Sequence, residues 1–407
     1  MQNLLILIES NTSGTGMLIF EKARALGLEP VFVTNKPQRY KGLERFDGQI
    51  ITCDTNNRDS LLLALEKHLK PTDYAGITTT SEFYVETVAH LTAYYGLPGN
   101  APEAVTTCRH KEQTRACLKA AGVRQPDFDC ITMIEQIPAA VEAIGLPCVV
   151  KPADDTGSYN VRLCNTVDEA RRQAQTILAV SENVRGQQAT QVVLVEAYLD
   201  APEYSVEMFS WQGETFCVGI TEKLLLPPPS FVEHRHVFPA PLQADVVSEM
   251  EQTVTQALAT VGYRDGASHT EVKYTAEGSA IVEINARLAG GMIPELITLV
   301  TGLDLLEQQC RVASGQKPCL HADRDGFAGI QFLVSSVAGT LREIRGVEQC
   351  IAVDGITEVN IMASVGKSVT TAQSAYDRLG YVIAQGKSYD ETVRRMRVAS
   401  DLIEMHM

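Results

Sequence analysis

The densest run of chemically capable side chains in this 407-residue chain is the stretch 265–291, DGASHTEVKYTAEGSAIVEINARLAGG. Alternation on both sides of residues 275–279 predicts two strands joined by a tight turn. A hairpin centred on Glu277 places Glu271 opposite Glu283, with Cβ atoms roughly 5 Å apart. Facing carboxylates repel each other, and a cation between them removes the repulsion. Glu283, Asn285 and Arg287 are spaced two apart and share one face of a regular strand. Two carboxylates and an amide oxygen are hard oxygen ligands suited to Mg²⁺, which readily shares its coordination with substrate phosphates. Arg287 then offers a planar fork of donors to a phosphoryl or carboxylate oxygen. The spacing alone is equally compatible with an exposed hairpin carrying solvated charges.

Further residues of this kind stand at the ends of predicted elements. Lys111 opens a helical run over 110–123 that Gly122 closes. Lys151 ends an apolar strand, 146–151, and is pinned by Pro152. The loop 153–161 contains one glycine, Gly157, where the backbone can approach an anion closely. Residues 192–199 form an apolar strand that includes Glu196, and Glu203 follows as a loop-tip carboxylate. Residues 209–222 alternate as two strands around Gln212 and Gly213. The proline-rich stretch 223–240 predicts neither a helix nor an ordinary hairpin, but a stiffened loop that would suit a substrate wall. It carries Glu233, His234 and His236, and a structural histidine is an alternative for both imidazoles. Past the hairpin, Gly290 and Gly291 precede a helix with Pro294 near its first turn, which leaves backbone N–H groups open to an anion.

These residues need a scaffold, and the flanking sequence supplies one. The apolar run 4–8, a glycine turn at Gly14–Gly16 and a helical pattern over 17–26 are followed by strands near 31–33, 49–51 and 75–77. Helical stretches at 58–69 and 82–95 complete a small doubly wound α/β domain, and residues 97–100 break the pattern. From about Phe327 the chain becomes strand-rich and ends on a helix opened by the capping box Ser388–Glu391. No chemical constellation stands out in that last part, which is expected to complete the fold. A net charge of −15 and a pI near 5.1 argue against nucleic acid as a partner. Ten cysteines without a CxxC pair fit reduced thiols. No run reaches transmembrane length and no signal-peptide pattern opens the chain, so the expected location is the cytoplasm, away from membranes.

Glu271 on one strand, then Glu283-x-Asn285-x-Arg287 and Leu288-Ala289-Gly290-Gly291, resembles the metal-binding hairpin of the ATP-grasp ligases. The likeness covers the chain from about Leu4 to the C-terminus and is strongest across Lys111–Gly291, where five separated elements occur in the family's order. The resemblance implies an α/β fold, in part α+β, with an N-terminal doubly wound domain (1–100). An ATP-grasp domain (101–308) with a lid subdomain (about 112–197) and a strand-rich C-terminal part (309–407) would follow. It implies that Lys111 and Lys151 reach ATP phosphates and that Gly157 and Ser158 belong to a lid loop, although a single glycine departs from a glycine-dense lid. The hinge at Glu196, Ala197 and Leu199 would read adenine, Glu203 would hold the ribose, and Glu271, Glu283 and Asn285 would bind metal. Arg287 would be catalytic, with Glu233, His236, Arg287, Gly290 and Gly291 at the substrates.

The wording HTEVK, FVEHRH and EINARLAGG looks most like the L-amino-acid ligase branch. That implies ATP with two Mg²⁺ ions, Mn²⁺ as a substitute, small amino or carboxylic acids as substrates, and a homodimer. The reaction implied is ATP-dependent amide formation through an acyl phosphate, giving ADP and phosphate. Two alternatives are a carboxylase of the biotin-carboxylase type and a non-catalytic nucleotide-binding protein. The sparse lid glycine speaks against the first, and the full set of ligands, lysines and Arg287 against the second.

Overall fold

A computed structural model describes residues 2–12 and 15–407. The first strands are β1 (Leu4–Ile8), β2 (Glu29–Thr34), β3 (Gln49–Thr52) and β4 (Tyr74–Thr78), in the order β3-β2-β1-β4. The pairings of β1 with β2 and β4, and of β2 with β3, are parallel. Leu5 to Ile8 are wholly buried, as a central parallel strand covered on both faces requires. Of the expected glycine turn, Gly14 lies outside the described residues, while Gly16 is buried at the start of a short 3₁₀ turn.

A second sheet holds β5 (Phe128–Ile131), β6 (Cys148–Pro152), β7 (Arg162–Cys164) and β8 (Val193–Ala197), in the order β5-β8-β6-β7. The helices Ile137–Ile144 and Val167–Leu178 bury Ile137, Val141, Ala174 and Ile177 in a common core with its strands. The third sheet starts with β9 (Glu203–Trp211), β10 (Glu214–Leu225), β11 (Glu233–Phe238), β12 (Gly266–Thr275), β13 (Gly278–Asn285) and β14 (Phe327–Leu333). After β15 (Gly339–Thr340) and β16 (Glu343–Arg345) come β17 (Ile356–Ile361), β18 (Ser368–Val369), β19 (Gly380–Gly386) and β20 (Glu404–His406). Eight of these form one sheet in the order β13-β12-β9-β10-β11-β14-β19-β17. From Phe327 on, β14, β19 and β17 continue the sheet begun at Glu203, while β15 pairs with β18 and β16 with β20 in two small separate sheets.

Period-two alternation divides the labour of this sheet. Val206, Met208, Ile220, Val272, Ile281 and Ile284 pack with the helix Ala244–Val261 in one core. The intervening residues, Glu203, Ser205, Lys223, Glu271 and Lys273 among them, face the other way, towards the N-terminal and lid sheets. Gln212 and Gly213 adopt positive φ (53° and 89°) in the β9–β10 turn, the primed geometry that suits a right-twisted two-residue hairpin.

The proline-rich stretch differs from its sequence expectation. It is a hairpin in which Lys223 pairs with His236 and Leu224 with Arg235. Pro227, Pro228 and Pro229 occupy the connection, and Pro239 lies past the end of β11. No proline interrupts the ladder, so the strands survive.

Candidate active site

Two irregularities of register build the site. The β12–β13 turn has two residues, with Thr275 paired to Gly278. Continued without interruption, that register would face Glu271 with Val282 and turn Glu283 to the opposite face. A bulge intervenes: Val272 pairs with Ile281, but Glu271 pairs with Glu283. Val282 is the extra residue, and it swings Glu283 onto the face of Glu271. The expected opposition of the two glutamates therefore occurs, through a bulge and not through a turn centred on Glu277. The second irregularity is in the β10–β11 pair, where Leu224 faces Arg235 but Leu225 faces Glu233. His234 is the extra residue, and its ring turns to Gln331 Nε2 at 2.7 Å. Glu233 and His236, three apart, thereby share a face with Lys223.

The proposed site residues come together. Lys111, Lys151, Gly157, Ser158, Glu196, Ala197, Leu199 and Glu203 line one cleft of about 740 Å³, as do Glu233, His236, Glu271, Glu283, Asn285, Arg287, Gly290 and Gly291. The cleft lies between the large sheet, the lid sheet and the end of the N-terminal domain.

Its charges are matched pair by pair. Lys111 Nζ lies 3.2 Å from Glu283 Oε1 and donates to the Asp155 carbonyl at 2.7 Å. Lys151 Nζ and Arg115 Nε hold the two oxygens of Glu196 at 2.7 and 2.8 Å. Burial pushes the Glu196 carboxyl up, but Arg115 and Lys151 outweigh it and hold it below the usual carboxylate range. Burial in turn lowers the Lys151 ammonium against the pull of Glu196. Lys223 sits among three carboxylates, 2.5 Å from Glu271, 2.7 Å from Glu233 and 3.4 Å from Glu203. Burial acts to lower its pKa, yet Glu233, Glu271 and Glu203 together raise it well above the ordinary lysine value. Glu233 is held well below its own: burial opposes ionisation, and Lys223, His236 and Arg378 overcome it. Desolvation depresses the buried His236 imidazole despite the nearby Glu233. Arg287 is positioned by Glu82 (2.6 Å), the Asn285 amide oxygen (3.1 Å) and the Leu288 carbonyl (2.9 Å).

The donors fit the expected metal. Glu271, Glu283 and Asn285 present hard oxygens on one face, and Asn285 pairs with His269 one step along the ladder from Glu271. Among the described residues no group of three or more His, Cys, Asp or Glu side chains could hold an ion. This donor set suits an ion that completes its shell with phosphate and water oxygens.

Residues 157–160 carry three positive φ angles, at Gly157, Ser158 and Asn160. They fold this loop back so that the Gly157 carbonyl accepts from Ala375 N at 3.1 Å. Gly291 (φ 59°) passes so close to His236 that a Cβ would lie 2.9 Å from Nε2.

Sequence reasoning missed several cleft residues. Arg115 stands one turn after Lys111, and that i,i+4 spacing was a usable signal. It also donates to the Val282 carbonyl at 2.6 Å, tying its helix to the bulge. Lys223 had no local signature, since its partners arrive from three other strands. The last part of the chain, expected to carry no chemistry, supplies Arg378, Tyr376, Phe332 and Tyr381 to the cleft. Adjacency in the sheet puts Phe332 and Tyr381 there, because β14 pairs with β11 and β19 with β14, while Tyr376 and Arg378 come from the short 3₁₀ turn just before β19.

Known proteins place this arrangement. Residues 20–99 match the ATP-grasp N-terminal domain, 144–295 the ATP-grasp domain, and 331–407 the L-amino acid ligase C-terminal domain 2. An uncharacterized protein, y4rH, of Sinorhizobium fredii is 32% identical over 388 residues, covering 95% of this chain and 80% of that protein. The L-arginine-specific L-amino acid ligase of Bacillus subtilis is 27% identical over 322 residues, 78% of this chain and 75% of the relative. The crystal structure of an L-amino acid ligase from Bacillus licheniformis shares the fold with a TM-score of 0.83 at 21% identity, over 99% of this chain and 98% of that one. On these likenesses and the site's own composition, the chain belongs to the ATP-grasp superfamily as a carboxylate–amine ligase, most similar to the L-amino-acid ligase branch.

Proposed function

We propose that the enzyme joins the carboxylate of one amino acid, or a related acid, to the amine of another, with ATP converted to ADP and phosphate. The observation that carries this reading is the one cleft that Glu271, Glu283 and Asn285 line together with Lys111, Lys151 and Arg287, along with Glu233, His236, Gly290 and Gly291. Mg²⁺ bound by Glu271, Glu283 and Asn285 would neutralise and align phosphate oxygens. The present pairing of Lys111 with Glu283 is then exchangeable. Glu283 would help hold the ion and Lys111 would then be available to phosphate, so the ammonium would lose no compensation. Lys151, kept by Glu196, faces the same phosphates, while Ala197 to Leu199 offer main-chain groups to the adenine and Glu203 takes the ribose hydroxyls.

Phosphoryl transfer asks mainly for alignment and charge neutralisation. The substrate carboxylate attacks the γ-phosphorus and ADP leaves. The amine nitrogen then attacks the acyl carbon, phosphate departs, and the nitrogen loses a proton. Arg287, fixed on three sides, faces the transferred phosphoryl and afterwards the oxygens of the tetrahedral species. Gly290 and Gly291 add N–H groups at the same place. The folded-back lid loop keeps water from the acyl phosphate.

The test is phosphate release with Mg-ATP across a matrix of amino acids, singly and in pairs, with ADP and AMP separated. ADP that forms only with particular pairs, matched by an equal amount of amide, is the expected result. AMP formation would overturn the acyl-phosphate route, and absence of turnover with every pair would overturn the amino-acid reading.

A further inference from the structure

We infer that Arg378, from the segment before β19, receives the spectator carboxylate of the amine-donating substrate, so that the acceptor is an amino acid in preference to a simple amine or an amino-acid amide. The inference rests on the ligase reading above. From the metal ligands outward, the cleft floor is a chain of close contacts. Glu271 meets Lys223 at 2.5 Å, Lys223 meets Glu233 at 2.7 Å, and Glu233 meets Arg378 Nη2 at 2.7 Å. Such a relay of contacts sets an upper limit on the order of 10 Å between its ends, a separation that an amino-acid-sized molecule with its nitrogen beside an acyl phosphate can bridge.

At that distance a free carboxylate must exchange water for a protein donor. Each of the other guanidinium groups of the cleft has its partners away from Glu233. Arg287 is engaged at all three nitrogens. Arg185 donates to the Tyr40 hydroxyl and the Ser10 carbonyl. Arg39, on the N-terminal domain, meets Asn35 and the buried Glu9.

Arg378 differs from these. Its Nη2 is held by the Glu233 side chain and carbonyl, while its Nη1 has no hydrogen-bond partner among the described residues, and the residue lines the cleft. Its guanidinium stacks 3.5 Å from the centre of the Phe332 ring, which fixes its plane, and its side chain is only 9% exposed. A pre-oriented, largely dehydrated guanidinium with one edge open is a carboxylate receptor. Tyr381, Met362 and Met292 also line the cleft and offer apolar surface to the acceptor's side chain.

The experiment compares each of the twenty amino acids as acceptor with its own α-carboxamide, in the wild type, R378K and R378M, following ADP and amide together. The wild type is expected to use the free acid far better than the carboxamide. R378M should raise KM for the free acid by roughly 10- to 100-fold, the worth of a lost charge-assisted pair, and shift KM for the carboxamide less than threefold. R378K should fall between. Equal use of acid and carboxamide by the wild type would overturn the assignment. So would an equal loss on both acceptors in R378M, because Arg378 would then serve only to hold Glu233. Failure of every acceptor to yield ADP in the wild type would instead overturn the ligase reading on which the assignment rests. Thermal melts of the variants separate loss of binding from loss of fold.

Discussion

At the scale of single residues the cleft is a set of buried charges that compensate one another, and the compensation is unequal. Lys223 serves three carboxylates, so its loss exposes more than any other single change there. Removing one partner of a buried ionic cluster typically costs about 3–5 kcal/mol. Lys223→Met is therefore expected to lower the melting temperature by many degrees, as calorimetry would read. Glu283 stands differently: its lysine partner also has the Asp155 carbonyl. Glu283→Gln should melt close to the wild type yet lose more than about 100-fold in ADP formation, a loss of the size expected when a metal's ligands are disturbed. Normal turnover in Glu283→Gln would remove this residue from the metal set. Arg115, Glu196 and Lys151 form the other compensated group; Glu196 and Lys151 were legible in the sequence, while Arg115 and the mutual contacts were not.

Among the elements, the decisive features are breaks in regularity. The bulge at Val282 brings Glu283 to Glu271, and that at His234 brings Glu233 to His236 and Lys223. Period-two reading cannot see either, because an extra residue is defined only by the partner strand. The expectation of a loop at 223–240 failed for a related reason: proline content was taken as a property of the whole stretch, whereas the prolines cluster in the turn and leave both ladders intact. The link after β13 is equally constrained. Gly291 holds a left-handed conformation against His236, so Gly291→Ala combines backbone strain with displacement of the imidazole. It should destabilise by about 1–2 kcal/mol, and kcat with the preferred amino-acid pair should fall more than ADP formation does, as parallel assays of amide and ADP would show.

For the whole molecule, the segment between the helix Val167–Leu178 and β8 reaches the N-terminal sheet's neighbourhood through Arg185. That guanidinium lies over the rings of Tyr40 and Phe83, 5.9 and 5.8 Å from their centres, while Asn56 Nδ2 donates to the Arg185 carbonyl at 2.9 Å. Arg185 also lines the cleft, and closure at this contact would shield the acyl phosphate of the proposed route from water. Arg185→Ala should lower the amide formed per ADP and reduce amide turnover on the order of 10- to 100-fold, the cost of slight misplacement of reacting groups. A 1:1 ratio of amide to ADP in that variant would show that closure does not depend on this latch.

The sequence by itself determined the chemistry present and its order along the chain. The hairpin Glu271/Glu283-x-Asn285-x-Arg287, the lysines at 111 and 151, the acid Glu196 in its apolar strand and the doubly wound start were legible because each is local: a motif, an element end or an alternation within some thirty residues. What only the tertiary structure decided is which of these groups touch. Lys223 beneath three glutamates, Arg378 reaching Glu233 across 145 residues, and Arg185 bridging to Ser10 across 175 depend on strand order and bulges. Those are set by the packing of whole sheets, a long-range balance of burial and pairing that no single stretch of the chain encodes.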